Sequence, residues 1–184
     1  LGYDGRGNLN SSGDKAYVYT LDNRLAAVSG GGVPGMNFGY DPLGRMHYPV
    51  GPSGGPTLQY DGDRMIREQT GAGVTIRRHV FGPGADEPLL TYEGAGTSDK
   101  RYLHGDERGS IIAVSNASGT VTQINAYDDY GIPQGKNAVG ALITDGTGLA
   151  TTSFGRFGYT GQAWLPEVGL SYYKARMYSP PLGR

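Results

Sequence analysis

A tyrosine-led turn returns about every twenty residues along the first third of this chain, and that period constrains the fold more than any other feature. The copies read Tyr3-Asp4-Gly5-Arg6-Gly7-Asn8-Leu9, Tyr19-Thr20-Leu21-Asp22-Asn23-Arg24-Leu25 and Tyr40-Asp41-Pro42-Leu43-Gly44-Arg45-Met46, with a shortened copy at Tyr60-Asp61-Gly62-Asp63-Arg64-Met65. Their tyrosines stand 16, 21 and 20 residues apart. Each copy sets an aromatic at a strand end, then turn-forming Asp, Asn and Gly, then an apolar residue that restarts a strand. One unit therefore reads as one hairpin stacked on the next.

Composition supports many short strands. The 184 residues include 33 glycines, where average usage gives about 13, and that excess works against long helices. The 14 tyrosines favour pleated, half-buried surfaces. Further strands are expected at Ala16–Thr20, Val74–Phe81 and Pro88–Tyr92, and a hairpin pairs Ser110–Ser115 with Thr120–Tyr127 across the Asn116-Ala117-Ser118-Gly119 turn. The stretch 135–153 is rich in Gly, Thr and Ala, with Ala141-Leu142-Ile143 as its apolar part, and reads as loop or weak strand. Gly169–Tyr178 reads as one amphipathic strand stopped by Pro180 and Pro181, with Tyr173, Ala175 and Met177 on one face and Lys174 and Arg176 on the other. The fold class expected is all-β, built from successive antiparallel hairpins in a curved, spiralling repeat sheet.

Net charge is −1 with a pI of 6.3, which lacks the basic footprint of a nucleic-acid binder. Zero cysteine excludes disulfides and thiolate chemistry. No apolar run reaches the length of a bilayer span, and Leu1-Gly2-Tyr3-Asp4 is no signal peptide. The chain starts without Met and inside a repeat, and reads as part of something longer.

The residues that suggest chemistry have plainer readings. Gly51-Pro52-Ser53-Gly54-Gly55 fits the nucleophile-elbow string, but Pro49, Pro52 and Pro56 deny it the strand-to-helix turn it needs. His104 with Asp106 and Glu107 matches no zinc spacing and reads as a structural turn. His47 and His79 stand alone and read as packing or surface. Asp61-Gly62-Asp63 and Thr144-Asp145-Gly146-Thr147-Gly148 lack the alternating acids of a calcium loop and read as turns. Recurring tyrosines suit stacked repeats, although aromatic faces can also bind sugars. Trp164 is expected to be buried against the closing strand. No catalytic, cofactor-binding or metal-ligating residue is assigned, and no cofactor.

The tyrosine-aspartate repeats, the block Tyr102-Leu103-His104-Gly105-Asp106-Glu107-Arg108-Gly109-Ser110, and Gly155-Arg156-Phe157-Gly158-Tyr159-Thr160-Gly161-Gln162 leading to Tyr172-Tyr173-Lys174-Ala175-Arg176-Met177-Tyr178-Ser179-Pro180-Pro181-Leu182-Gly183-Arg184 resemble the Rhs (rearrangement hot spot) and YD-repeat proteins over nearly the whole chain. The last segment resembles the Rhs repeat-associated core. The resemblance implies hairpin repeats over 1–130, a variable connection over 131–153 and the core segment over 154–184. It implies a stretch of hollow shell that encloses and delivers a C-terminal toxin or effector domain in bacterial competition, in a secreted or cell-surface protein. The implied partners are that toxin domain, the remaining Rhs repeats of the same protein and a secretion apparatus. The alternatives are a carbohydrate-binding or adhesion module, with cell-surface carbohydrate as partner, and part of an aspartyl autoprotease core that releases the C-terminal domain; neither nucleic acid nor a membrane span is expected. Many relatives are also aspartyl autoproteases that carry an Asp-Pro pair after the Thr-Gly-Gln motif. Here that position is Leu165-Pro166, and leucine can neither activate water nor polarise a carbonyl, so this chain is not expected to be an enzyme.

Overall fold

The computed structural model describes residues 1–137 and 155–184. The chain is all-β, as its repeats require. A first sheet runs in sequence order through β1 (Gly2–Tyr3), β2 (Leu9–Ser12), β3 (Lys15–Tyr19), β4 (Leu25–Gly30), β5 (Met36–Tyr40) and β6 (Met46–Val50). A second runs through β7 (Thr57–Asp61), β8 (Arg64–Gln69), β9 (Thr75–Phe81), β10 (Pro88–Glu93), β11 (Lys100–Gly105), β12 (Ile111–Ser115), β13 (Val121–Tyr127) and β14 (Pro133–Asn137). A short meander of β15 (Ala163–Leu165), β16 (Leu170–Tyr172) and β17 (Met177–Tyr178) follows. Every pairing is antiparallel and joins consecutive strands. The helical pieces among the described residues are single 3-10 turns at Tyr159–Gly161 and Pro180–Leu182.

One five-residue turn recurs. In Asp4–Asn8, Thr20–Arg24, Asp41–Arg45, Thr70–Val74, Asp106–Ser110, Asn116–Thr120 and Asp128–Ile132, the first N–H donates to the fifth carbonyl and the fourth N–H donates back to the first. The fourth residue lies in the left-handed region, which glycine enters without strain: Gly44 has φ 78°, and Asn23 at φ 62° is the substitute in the second copy. The leading carboxylate fixes the turn further. Asp41 Oδ1 accepts the N–H groups of Leu43 and Arg45, both at 2.9 Å, and Asp4, Asp106 and Asp128 do the same in their turns.

Each tyrosine of the motif faces the apolar residue that closes its own turn: Tyr3 faces Leu9, Tyr19 faces Leu25, Tyr40 faces Met46 and Tyr60 faces Met65. One residue beyond, an extra residue is bulged out: Asn10, Ala26, His47 and Ile66 in those hairpins, and Ile112 after the Asp106 turn. Repeated bulges bend and twist a sheet in one sense, so curvature is built into the repeat.

Between β6 and β7 the hydrogen-bonded ladder stops, because Pro49, Pro52 and Pro56 crowd the crossing and cannot donate. The core does not stop there. Leu25, Val28, Phe38 and Met46 of the first sheet, Leu58, Met65 and Ile111 of the second, and Leu165, Leu170 and Tyr172 of the meander form one buried cluster.

The expected strand over Gly169–Tyr178 is a correction. It breaks into β16 and β17 around a tight turn in which Tyr173 N–H donates to Arg176 C=O at 2.9 Å and Lys174 takes φ 60°. Folding back lets Tyr172 stay inside while Lys174 and Arg176 sit at the tip. The call for loop or weak strand over 135–153 is met at its start by β14, which reaches Asn137. Ala141-Leu142-Ile143 and the Thr144–Gly148 turn lie outside the described residues.

Candidate functional site: the rim ladder and the wall-to-meander junction

Along the edge that carries the tyrosine turns, an arginine ties each hairpin to the next, and Tyr40 and Tyr60 reach back. Arginine reaches forward. Arg24 Nη1 donates to Gly44 C=O at 2.6 Å with its guanidinium over the Tyr40 ring, and Arg45 donates to Gly62 C=O over the Tyr60 ring. Arg6 reaches the Thr20 and Leu21 carbonyls, and Arg64 those of Pro83 and Gly84. Tyrosine reaches back: Tyr40 OH donates to Leu25 C=O and Tyr60 OH to Met46 C=O, both at 2.7 Å. The Arg45–Gly62 and Tyr60–Met46 links cross the gap between the sheets, so the rim continues where the ladder does not. Burial pushes the Tyr40 and Tyr60 phenols well above their ordinary value, which keeps them neutral donors.

The 155–184 segment lies against this wall. Tyr172, 3% exposed, accepts the Met46 N–H on its hydroxyl at 2.7 Å. Gly158 C=O accepts the Ile111 N–H at 3.0 Å, and Thr160 N–H donates to Ser110 Oγ at 3.0 Å. Lys174 pairs with Asp86. Gly161 is fixed by space as well as backbone, since it has φ 70° and a Cβ there would stand 2.1 Å from the Asp86 carbonyl oxygen.

Beneath the contact sits a buried polar cluster. Glu68 on β8, 0% exposed, receives Arg156 at both oxygens, with Nε to Oε1 at 3.1 Å and Nη2 to Oε2 at 2.6 Å. His79 on β9 meets Glu68 Oε1 through Nε2 at 3.1 Å, and its Nδ1 lies 2.9 Å from Thr91 Oγ1 on β10. Arg77 stands 3.6 Å from Glu68 and bridges to Glu93 at 2.9 Å. The Phe157 ring packs edge-on against His79 at 4.8 Å and Phe81 at 5.4 Å. Burial alone would raise the Glu68 carboxyl, but the Arg156 charge and the hydrogen bonds from His79 and Arg156 outweigh it and hold the group far below the carboxylate range. Burial also depresses His79, and Glu68 only partly offsets this, so the imidazole is neutral at pH 7. The cluster presents no open nucleophile. It is a latch between the wall and the segment beginning at Gly155.

The other candidate residues fall elsewhere. His104 is exposed and bonds Ser115 Oγ at 2.8 Å, while Asp106 is spent on its turn. His47 is a bulge residue whose Nδ1 lies 3.2 Å from Leu58 C=O. Asp61-Gly62-Asp63 is the β7–β8 turn, and Gly51–Gly55 is a turn closed by a Gly51–Gly54 bridge. Among the described residues, no group of three or more acids and histidines could hold a metal ion. Trp164 is buried at 4% exposure beside Tyr127. Leu165, at 1%, belongs to the core. Sequence reasoning missed Glu68, and it took Arg156 for part of a motif and His79 for a lone histidine.

No protein-family model matches the chain. The tRNA3(Ser)-specific nuclease WapA of Bacillus spizizenii is 27% identical over 187 aligned residues, covering 100% of this chain and 7% of that protein. The tRNA nuclease WapA of Bacillus subtilis strain 168 is 28% identical with the same coverage. Among solved structures, a TcdB2-TccC3 crystal structure superposes at TM-score 0.63 with 17% identity, over 99% of this chain and 9% of that one. The Tc holotoxin pore of Photorhabdus luminescens superposes at 0.67 with 16% identity, over 97% and 9%. These likenesses support an Rhs/YD-repeat protein. The chain spans less than a tenth of the length of these relatives. No helix among the described residues is long and apolar enough to cross a membrane.

Proposed function

We propose that this chain is a non-enzymatic stretch of the wall of an Rhs/YD-repeat shell, and that the whole protein encloses and delivers a C-terminal toxin or effector domain in bacterial competition. The rim ladder is the observation that carries this reading. It spends the hydroxyls of Tyr40 and Tyr60 and the guanidiniums of Arg24 and Arg45 on joining one hairpin to the next, and the leading carboxylate on fixing its own turn. Residues committed this way make a wall; the toxic chemistry belongs to the cargo, and nuclease activity of the kind in the WapA names belongs to a domain outside this stretch. The bacterial secreted or cell-surface location and an exporting apparatus go with the same reading. Leu165, buried in the core, supplies no carboxylate for self-cleavage.

Limited proteolysis of the full-length protein tests containment. The C-terminal domain should resist protease while the wall is intact and be digested at the rate of the free domain once Arg156→Ala opens the junction. Equal digestion of the enclosed and free domains in the unmodified protein would refute it. A surface-recognition role would have to use exposed rings such as Tyr48, Tyr102 and Tyr130, and a glycan array with their alanine variants separates it from containment.

A further inference from the structure

The first sheet and the meander do not fill the space between them. A cavity of about 310 Å³ remains. Leu9, Tyr17 and Leu25 line it from the wall, and Leu170, Tyr172 and Met177 from the meander. The cavity opens to solvent, and its volume is at the lower end of the range for small-ligand pockets. The lining also has one sign of charge. It includes Arg24, Lys174, Arg176 and Arg184 and no Asp or Glu.

The four cations are not equivalent. Arg24 is engaged by Asp22 and Gly44 C=O, Lys174 by Asp86, and Arg184 by the Tyr3 hydroxyl. Arg176 is exposed, and its side chain has no partner among the described residues. Inside, Tyr17 is 8% exposed, and its hydroxyl likewise has no hydrogen-bond partner among the described residues. An apolar aromatic chamber with an uncommitted guanidinium and an uncommitted hydroxyl suits a ligand that has a flat apolar body and an anionic head.

We propose that this cavity binds a small organic acid, its apolar body against Tyr17, Leu25 and Tyr172 and its carboxylate paired with Arg176. Such a ligand touches wall and meander at once and holds them together more firmly. The inference stands on this packing and not on the shell reading, so it can fail while containment stands, and the reverse.

Isothermal titration of the full-length protein with 3-phenylpropionate, and separately with the uncharged 3-phenylpropionamide, tests it. The acid should bind saturably and raise the unfolding midpoint, while the amide binds about tenfold more weakly, as loss of one charged hydrogen-bonded pair implies. Arg176→Gln should weaken the acid by about the same factor and leave the amide unchanged. Its unfolding midpoint without ligand should match that of the unmodified protein, because the side chain it replaces is unpartnered. Absence of saturable acid binding, equal binding of acid and amide, or an acid affinity unchanged in Arg176→Gln would each overturn the proposal.

Discussion

The rim and the junction hold the molecule together by opposite strategies. At the rim, short links repeat from hairpin to hairpin and lie partly in water: Arg24 to Gly44 and Arg45 to Gly62, with Tyr40 to Leu25 and Tyr60 to Met46 running back. At the junction, one buried carboxylate, Glu68, carries the connection to a guanidinium 88 residues away. A repeated exposed link is individually weak but replaceable, whereas a single buried ion pair has no substitute. The wall can therefore lose any one link and remain a wall, whereas the junction, although Tyr172, Gly158, Thr160 and Lys174 also tie it to the wall, loses most when its buried pair is broken.

The largest effect should come from breaking the latch on one side. Arg156→Ala leaves Glu68 charged, at 0% exposure and short of its main partner, and removing one member of a buried pair costs about 3–5 kcal/mol. Glu68→Ala should cost a similar amount by stranding Arg156. The double variant Glu68→Leu, Arg156→Met should recover most of the loss, because an apolar pair needs no desolvation to be repaid. Urea unfolding of the full-length protein measures these losses, and a double-mutant cycle of the unmodified protein, Glu68→Leu, Arg156→Met and their double measures the coupling. Additive losses in the cycle would mean that the two groups are not coupled.

Acid should separate the two regions next. The folded-state value of His79 is depressed by burial, so its contribution is complete above the unfolded value of about 6.5 and is lost as pH falls below it. Glu68 is also depressed, and its contribution is present above about 4.3 and lost as pH falls through the carboxylate range. Both signs agree, and the other charged groups facing the pair are Arg77 and Arg156. Glu93 holds Arg77 from the far side. The urea midpoint should therefore decline as pH falls below about 6.5, and His79→Gln should reduce that decline. An unaltered slope in that variant would remove His79 from the latch.

These two regions also differ in how far they could be read from sequence. The rim is local: the turn spans five residues, the period is short, and glycine or asparagine must occupy the left-handed position, so period and composition revealed the hairpins and the fold class. The latch is not local. Simple alternation along β8 puts Met65 and Arg67 on one face and sends Glu68 outward, but the bulge at Ile66 shifts the parity and turns Met65 and Glu68 inward together. Nothing in Arg67-Glu68-Gln69 distinguishes that acid from a solvated one. The meander hid for a related reason, since Leu170–Tyr178 alternates like a strand and only the left-handed Lys174 divides it.

The smallest effects should be at the rim, and their size is what distinguishes redundancy from weakness. Tyr60→Phe removes one hydrogen bond to the Met46 carbonyl and should cost about 0.5–1.5 kcal/mol. Arg24→Gln gives up a partly exposed contact to Gly44 and some ring stacking, and should cost about 1 kcal/mol or less. Arg24→Gln combined with Arg45→Gln should give the sum of the single effects, because each guanidinium caps a different hairpin pair. Hydrogen exchange would show each loss confined to the two hairpins that the missing side chain joined. If a single rim substitution instead loosened every hairpin, or destabilised the protein as much as Arg156→Ala, the wall would be one cooperative lattice and not a series of replaceable joints, and the contrast between rim and latch would collapse.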